Sequence, residues 1–319
     1  MNSVKRYLSL FFKQTPGVLF FGVFIFFSIL LKDTFLSIYT LTNIARQVSI
    51  DVPIVMGQAI VLIAGGIDIS VGSVMAMSAV IVISTQQYGM ILSIVFALLF
   101  GVCIGLINGF LVTKAKIVPF IATLGTMSIV RGLVLVTTDQ RSIMGTIPRF
   151  EILGNGNFWI IPGPFIIAMV LLFILHQFLK KTKKGRNLYA LGGDPENAFL
   201  SGIPMLSTKF TPYIICSLLA SVSGILLASR INSANPQLGM DTALASIAAA
   251  IIGGASLLGG RGSVIGAVLG ISVLGILSTG MNLLGVVTYA QIAVKSALFV
   301  IVVVIDAVIV SKRISKRRK

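Results

Sequence analysis

Three stretches hold residues whose types and spacing suit them to chemistry or recognition. The first is Ala64-Gly65-Gly66-Ile67-Asp68-Ile69-Ser70-Val71-Gly72-Ser73, where glycines, a carboxylate and two hydroxyls crowd between apolar runs. Asp68 and Ser70 are good helix N-caps, and glycines permit close backbone approach, so the stretch reads as a tight connection between two helices. The second is the apolar segment opening at Pro119, which carries Thr123, Thr126 and Arg131. Polar groups on a spanning helix usually face the bundle interior or a watery path. Alternatively, threonine hydroxyls bond back to their own helix, and an arginine near a helix end extends to the interface. Asp68, Ser70, Thr123, Thr126 and Arg131 are therefore the candidate residues of a translocation path. The third stretch runs from Lys180 to Pro204. Asp194 suits an N-cap, Pro195 the first helical position and Gly202 a C-terminal stop. A short helix over about 195–201 is predicted, with Glu196 in its first turn and Ala198, Phe199 and Leu200 available to a partner. The competing reading is an amphipathic loop lying on lipid headgroups.

Much other chemistry is excluded. His176 is the only histidine, and Cys103 and Cys216 both lie in apolar runs without metal-ligand spacing. Gly259-Gly260-Arg261-Gly262-Ser263 has the glycines of a phosphate loop, but no Gly-Lys-Ser/Thr occurs in the chain. No catalytic residue, metal site or cofactor is therefore expected in this chain.

These residues must be positioned by a bilayer-embedded scaffold. The 319 residues are 56% hydrophobic and 11% charged, against about 25% charged in soluble domains. The net charge of +16 is then explained by basic loops rather than by nucleic acid. Measured against about 20 residues per crossing, ten candidate spans emerge, at 17–37, 43–64, 70–86, 89–112, 117–137, 160–180, 211–229, 241–258, 263–284 and 288–310. The third and eighth are short enough to be broken or tilted. With the N-terminus inside, 18 of the 25 Lys and Arg fall on the cytoplasmic side; Lys32, Arg46, Arg141, Arg149 and Arg230 lie outside, and Arg131 and Lys295 within spans. That asymmetry gives a multi-pass protein of the cell membrane with both termini in the cytoplasm. Lys295 and Asp306 share a face of the tenth span but stand about 16 Å apart, too far to pair.

Two glycine series stand out. Gly101, Gly105 and Gly109 recur every four residues in the fourth span, and Gly262, Gly266 and Gly270 in the ninth. Such seams let helices pack closely in lipid, within one subunit or between two. Each seam falls on the third helix of its half if spans 2–5 and 7–10 are two halves of inverted topology, as an internal repeat predicts.

Four stretches in order resemble the permease subunits of ribose-type, monosaccharide ABC importers. They are "GGIDISVGS" at 65–73, "PFIATLGTMSIVRG" at 119–132, the loop Gly185-Arg186 with Tyr189-Ala-Leu-Gly-Gly193 and Leu200-Ser-Gly-Ile203, and the run from Ala228 to Ser263. The resemblance spans nearly the whole chain. One departure is Asp241-Thr-Ala-Leu244, where the family's acidic residue directly precedes the leucine. The resemblance implies an all-α integral membrane protein, a single permease domain over 1–319 with a cytoplasmic loop at 181–210. It implies that the helix after Asp194 couples to a separate ABC ATPase subunit, which binds ATP and magnesium. It further implies an extracytoplasmic solute-binding protein and a second permease copy or paralogue. The few intramembrane charges suit a neutral solute such as a sugar. The alternative is an ion-coupled secondary transporter of a small polar solute, which needs titratable groups at mid-membrane.

Overall fold

The computed structural model describes the backbone of residues 2–317 and the side chains of 16–147 and 149–304. The chain is mostly helical: α1 (Asn2–Leu30), α2 (Lys32–Phe35), α3 (Ile38–Ile63), α4 (Val71–Ser84), α5 (Met90–Thr113), α6 (Pro119–Thr138), α7 (Ile152–Asn155), α8 (Gly163–Lys181), α9 (Lys183–Gly193), α10 (Pro195–Leu200), α11 (Met205–Ile231), α12 (Thr242–Ile252), α13 (Val264–Leu283) and α14 (Thr288–Arg317). Among the described residues, six helices are long and apolar enough to cross a membrane: α3, α5, α6, α8, α11 and α13. Shorter apolar helical stretches cover Pro16–Leu30, Val71–Ser84, Thr242–Ile252 and Thr288–Val304. Six of the ten expected spans thus correspond to helices long enough to cross; the first, third, eighth and tenth correspond to the shorter apolar stretches, so ten crossings are not established.

Local chemistry sets the boundaries. The Ser37 hydroxyl accepts the Thr40 amide at 3.2 Å and starts α3. Ser263 does the same for α13 through Gly266 at 2.9 Å. Pro119 opens α6, where its missing N–H costs nothing. Asp139 ends that helix in the left-handed conformation.

α3 and α11 form the buried centre and pack on each other. α5 lies along α11, and α13 lies along α3. α4 packs on α11, α5 and α6; α12 packs on α3, α13 and α14. The pairings are reciprocal between α3–α6 and α11–α14. α5, α6 and α8 turn apolar side chains such as Leu99, Ile129 and Phe173 outward, as lipid-facing helices do.

One end of the bundle is closed by residues 143–162. β1 (Ile143–Met144) pairs antiparallel with β4 (Ser233–Ala234), and β2 (Asn157–Phe158) with β3 (Ile161–Pro162). The Gln86 carboxamide oxygen accepts the amides of Thr146 (2.6 Å) and Ile147 (3.0 Å), and Phe150 is fully buried. Trp159 is 90% exposed, as an interfacial anchor would be. The other end holds α9, α10 and the turns at 64–70, 114–118 and 253–263. The predicted relation between Lys295 and Asp306 falls partly outside the described residues, because the side chain of Asp306 is not among them.

The glycines of both series pack closely, and all but one of them lie within a helix. A Cβ on Gly105 would stand 2.6 Å from the Ile214 Cα, and one on Gly109 would stand 2.6 Å from the Phe210 ring. Gly101 faces Ser221. Gly266 and Gly270 face the carbonyls of Gly253 and Ala249. Both series thus pack inside one chain, α5 on α11 and α13 on α12. Gly262 is the exception. It precedes α13, with φ +142, because the chain is still turning there and Ser263 caps the helix.

Candidate functional site

The turn between α3 and α4 holds a polar knot in which Asp68, Ser70, Asn108 and Thr123 are buried. Asp68 accepts the Ser70 amide at 2.9 Å and the Ser70 hydroxyl at 2.6 Å. Asn108 of α5 donates to the Ser70 hydroxyl at 2.8 Å and reaches Asp68 at 3.5 Å. The Thr123 hydroxyl accepts the Ile69 amide at 3.2 Å and donates to the Pro119 carbonyl at 2.8 Å. Neither Asp68 nor Ser70 caps α4 with its side chain, contrary to the sequence reading. The carboxylate captures the serine hydroxyl first, two residues away, and folds the turn on itself. A buried carboxylate requires several donors, and this knot supplies them from the turn itself and from α5. Asn108 was missed from sequence, although a polar side chain inside a glycine seam was the available signal.

Thr126 bonds back to the Ala122 carbonyl at 3.1 Å. Arg131 does not extend to the interface: it is half-buried, and its Nη1 donates to the carbonyls of Pro236 (2.7 Å) and Leu238 (2.9 Å). It thereby fastens the α11–α12 connection to α6, and leaves those carbonyls paired inside the bundle. At the same level Gly72 and Gly239 touch through their backbones, so α4 meets that connection with no side chain between. Of the five residues proposed for a path, the structure brings Asp68, Ser70 and Thr123 together in the knot. It leaves Thr126 and Arg131 apart from them.

The opposite side of the same turn faces a cavity of about 1030 Å³. Gly65, Gly66, Gly192, Gly193, Gly259 and Gly260 form much of its wall, and Lys116, Lys209 and Arg261 bring positive charge to it. The glycines are needed here. Gly259 has φ +85 and a Cβ would fall 2.8 Å from the Gly65 Cα, while the Gly260 amide donates to the Ile63 carbonyl at 2.9 Å.

α9 and α10 stand beside this cavity. α9 was not foreseen, although Thr182 is a strong N-cap and Leu188 and Leu191 share a face. The Thr182 hydroxyl accepts the Gly185 amide at 3.0 Å, and both leucines are buried. The Tyr189 hydroxyl donates to the Gly262 carbonyl at 3.0 Å, and burial raises its phenol above the usual range. α10 matches the predicted short helix: Asp194 accepts the Asn197 amide at 3.1 Å, Pro195 is at its start, and Gly202 follows it with φ +73. Phe199 and Leu200 are 67% and 75% exposed, and Glu196 also faces outward. Ala198 differs from expectation. It is 4% exposed because it faces the chain's own α9, and only its larger neighbours remain free for contact.

Residues 40–305 match the family described as the branched-chain amino acid transport system / permease component. The chain belongs to that family. The permease is similar to the ribose import permease protein RbsC of Bacillus subtilis, 41% identical over 293 residues that cover 90% of this chain and 91% of the relative. It is 35% identical to the D-allose transport system permease protein AlsC of Escherichia coli over 286 residues, 89% of this chain and 88% of the relative. It is 31% identical to the L-arabinose ABC transporter permease protein AraH of Azospirillum brasilense over 291 residues, 91% and 86% respectively. No solved structure matches the chain. The ribose-type resemblance of the four motifs is thus upheld across the permease.

Proposed function

We propose that this permease is the membrane-spanning subunit of an ATP-binding-cassette importer and forms the translocation path for a sugar or similar neutral polar solute. A separate ATPase subunit binds ATP with magnesium and drives it. The observation that carries this reading is α10: a capped helix at the edge of a large cavity, presenting Phe199 and Leu200 to water. Exposed phenylalanine and leucine at the tip of a rigid helix suit insertion into a groove on a partner. The short helix is tied through α9 to the turn at 64–66 and the glycines at 259–260, so a push on it bears directly on the cavity wall.

In this reading α10 and the cavity face the cytoplasm, the basic tail lies on the same side, and residues 143–162 face outward towards a solute-binding protein. All ten apolar helical stretches cross the cell membrane, both termini are cytoplasmic, and 181–210 is the coupling loop of a single permease domain. The reciprocal packing of α3–α6 and α11–α14 supports two halves of inverted topology. A second permease copy or a paralogue completes the path. The names of the relatives, ribose, allose and arabinose permeases, support a sugar as solute.

The test is reconstitution. The permease copurified with its ATPase and placed in proteoliposomes with a sugar-loaded binding protein is expected to import sugar only with ATP. Uptake that follows a proton or sodium gradient, without an ATPase, would instead establish the ion-coupled secondary transporter.

A further inference from the structure

The cavity of about 1030 Å³ beside α10 is a recess to which several separate parts of the chain contribute. They are the end of α3, the end of α5 with the turn into α6, the end of α9, the start of α10, the first turns of α11 and the turn at 258–261. Where α3, α9 and the turn at 258–261 meet, the wall is bare backbone. A Cβ on Gly259 would stand 2.6 Å from the Gly192 carbonyl oxygen, and one on Gly260 would stand 2.6 Å from the Gly193 Cα. One on Gly65 would stand 3.5 Å from the Gly192 Cα. This part of the wall therefore carries no side chains that could fill the recess.

The charge of the wall has one sign. Lys116 and Lys209 are exposed on it, Arg261 is half-buried on it, and no carboxylate lines it. Among the described residues, neither lysine makes a hydrogen bond or an ion pair. Asp194 sits between the lining residues Gly193 and Pro195, but its carboxylate accepts the Asn197 amide (3.1 Å) and side-chain nitrogen (2.7 Å). Val118 and Pro119 also line the cavity, so the 20-residue helix α6 starts at its wall, and no side chain caps it. Such a helix start carries partial positive charge. A cytoplasmic excess of basic residues accounts for lysines at this end of the bundle. It does not account for a recess beside them that the glycine backbone keeps open.

We propose that this cavity binds the phosphate group of an organic phosphate ester, held by Lys116 and Lys209 with Arg261 beside them. A phosphate monoester carries about −1.5 to −2 charges and three terminal oxygens, so it meets several cations and donors at once. Inorganic phosphate would leave most of the volume empty, and the apolar wall at Val61, Val112 and Leu258 faces the organic part. The ligand is an anion, and so is not the neutral solute of the translocation path. Two sources supply this chemistry. One is a soluble sugar phosphate, the class of product that phosphoryl transfer makes from an imported sugar; this source alone rests on the import reading above. The other is the headgroup of an anionic phospholipid of the adjoining leaflet.

The experiment uses the full-length permease in phosphatidylcholine nanodiscs, titrated by calorimetry with D-ribose 5-phosphate and with D-ribose as the neutral control. Parallel nanodiscs contain phosphatidylglycerol as well. The parent is expected to bind the ester and not the free sugar. Lys116→Gln and Lys209→Gln alter exposed side chains and are expected to unfold at the parent's temperature, each weakening binding by about tenfold. Lys116→Arg with Lys209→Arg keeps both charges and is expected to bind like the parent. A soluble source leaves the titration intact in phosphatidylglycerol nanodiscs. A lipid source abolishes it there, and phosphatidylglycerol then copurifies through detergent exchange with the parent but not with the Lys116→Gln/Lys209→Gln variant. A parent that neither binds the ester nor retains phosphatidylglycerol overturns the site, as does a double Gln variant that does either as well as the parent. Binding is read without transport, so failure of ATP-driven uptake overturns the import reading and leaves this result standing.

Discussion

Gly105→Ala isolates the contact between α5 and α11. The added Cβ would stand 2.6 Å from the Ile214 Cα and 2.8 Å from the Tyr213 carbonyl oxygen, where ordinary contact begins at 3.4 Å. Both neighbours are backbone, so no rotamer can yield and the two helices must separate by nearly 1 Å. Overpacking of this kind costs about 1–3 kcal/mol. Alanine also favours the helix over glycine by about 1 kcal/mol, which masks part of the loss. Gly125→Ala removes that ambiguity, because Gly125 is also helical and has nothing within 4 Å of an added Cβ. The difference between the two variants is then the packing cost alone. At about 2–4 °C per kcal/mol, Gly105→Ala should unfold roughly 2–12 °C below Gly125→Ala. Thermal unfolding of the two purified variants in the same detergent measures it. Equal midpoints, or a higher one for Gly105→Ala, would refute the close-packed seam.

Other expectations follow from α10 and from the polar contacts. Phe199→Glu should leave membrane insertion intact but abolish ATPase copurification and uptake, since it would bury an unpaired charge in the docking groove; retained copurification would remove α10 from the coupling contact. Asp194→Ala should be milder, losing about 1 kcal/mol of helix capping, read as partial retention of ATPase on the affinity column. Arg131→Gln should lower stability by about 1–3 kcal/mol, because it strips charge-assisted bonds from two part-buried carbonyls; an unchanged unfolding midpoint would show that those carbonyls find other donors. Cysteines placed at Lys184 and Trp159, both exposed, should react with an impermeant thiol reagent from opposite sides of intact cells once Cys103 and Cys216 are replaced. Labelling of both from outside would overturn the orientation.

The linear chain determined a good deal by itself. Apolar length fixed the helices, because a bilayer leaves the backbone no other way to satisfy its hydrogen bonds. Capping residues placed α10 to within a residue, since Asp194, Pro195 and Gly202 act on their immediate neighbours. Four motifs identified the family, and the spacing of Gly105 and Gly109 marked a packing face. What the sequence left undecided is where each polar group finds its partner. Arg131 meets carbonyls more than a hundred residues away, and Asn108 completes a knot begun at Asp68. Ala198 is hidden by a helix that follows its own cap at Thr182, and Gly262 leaves its series because the chain is still turning there. Local rules act over a few residues, whereas pairing of buried charge and polarity depends on which helices the packing brings side by side.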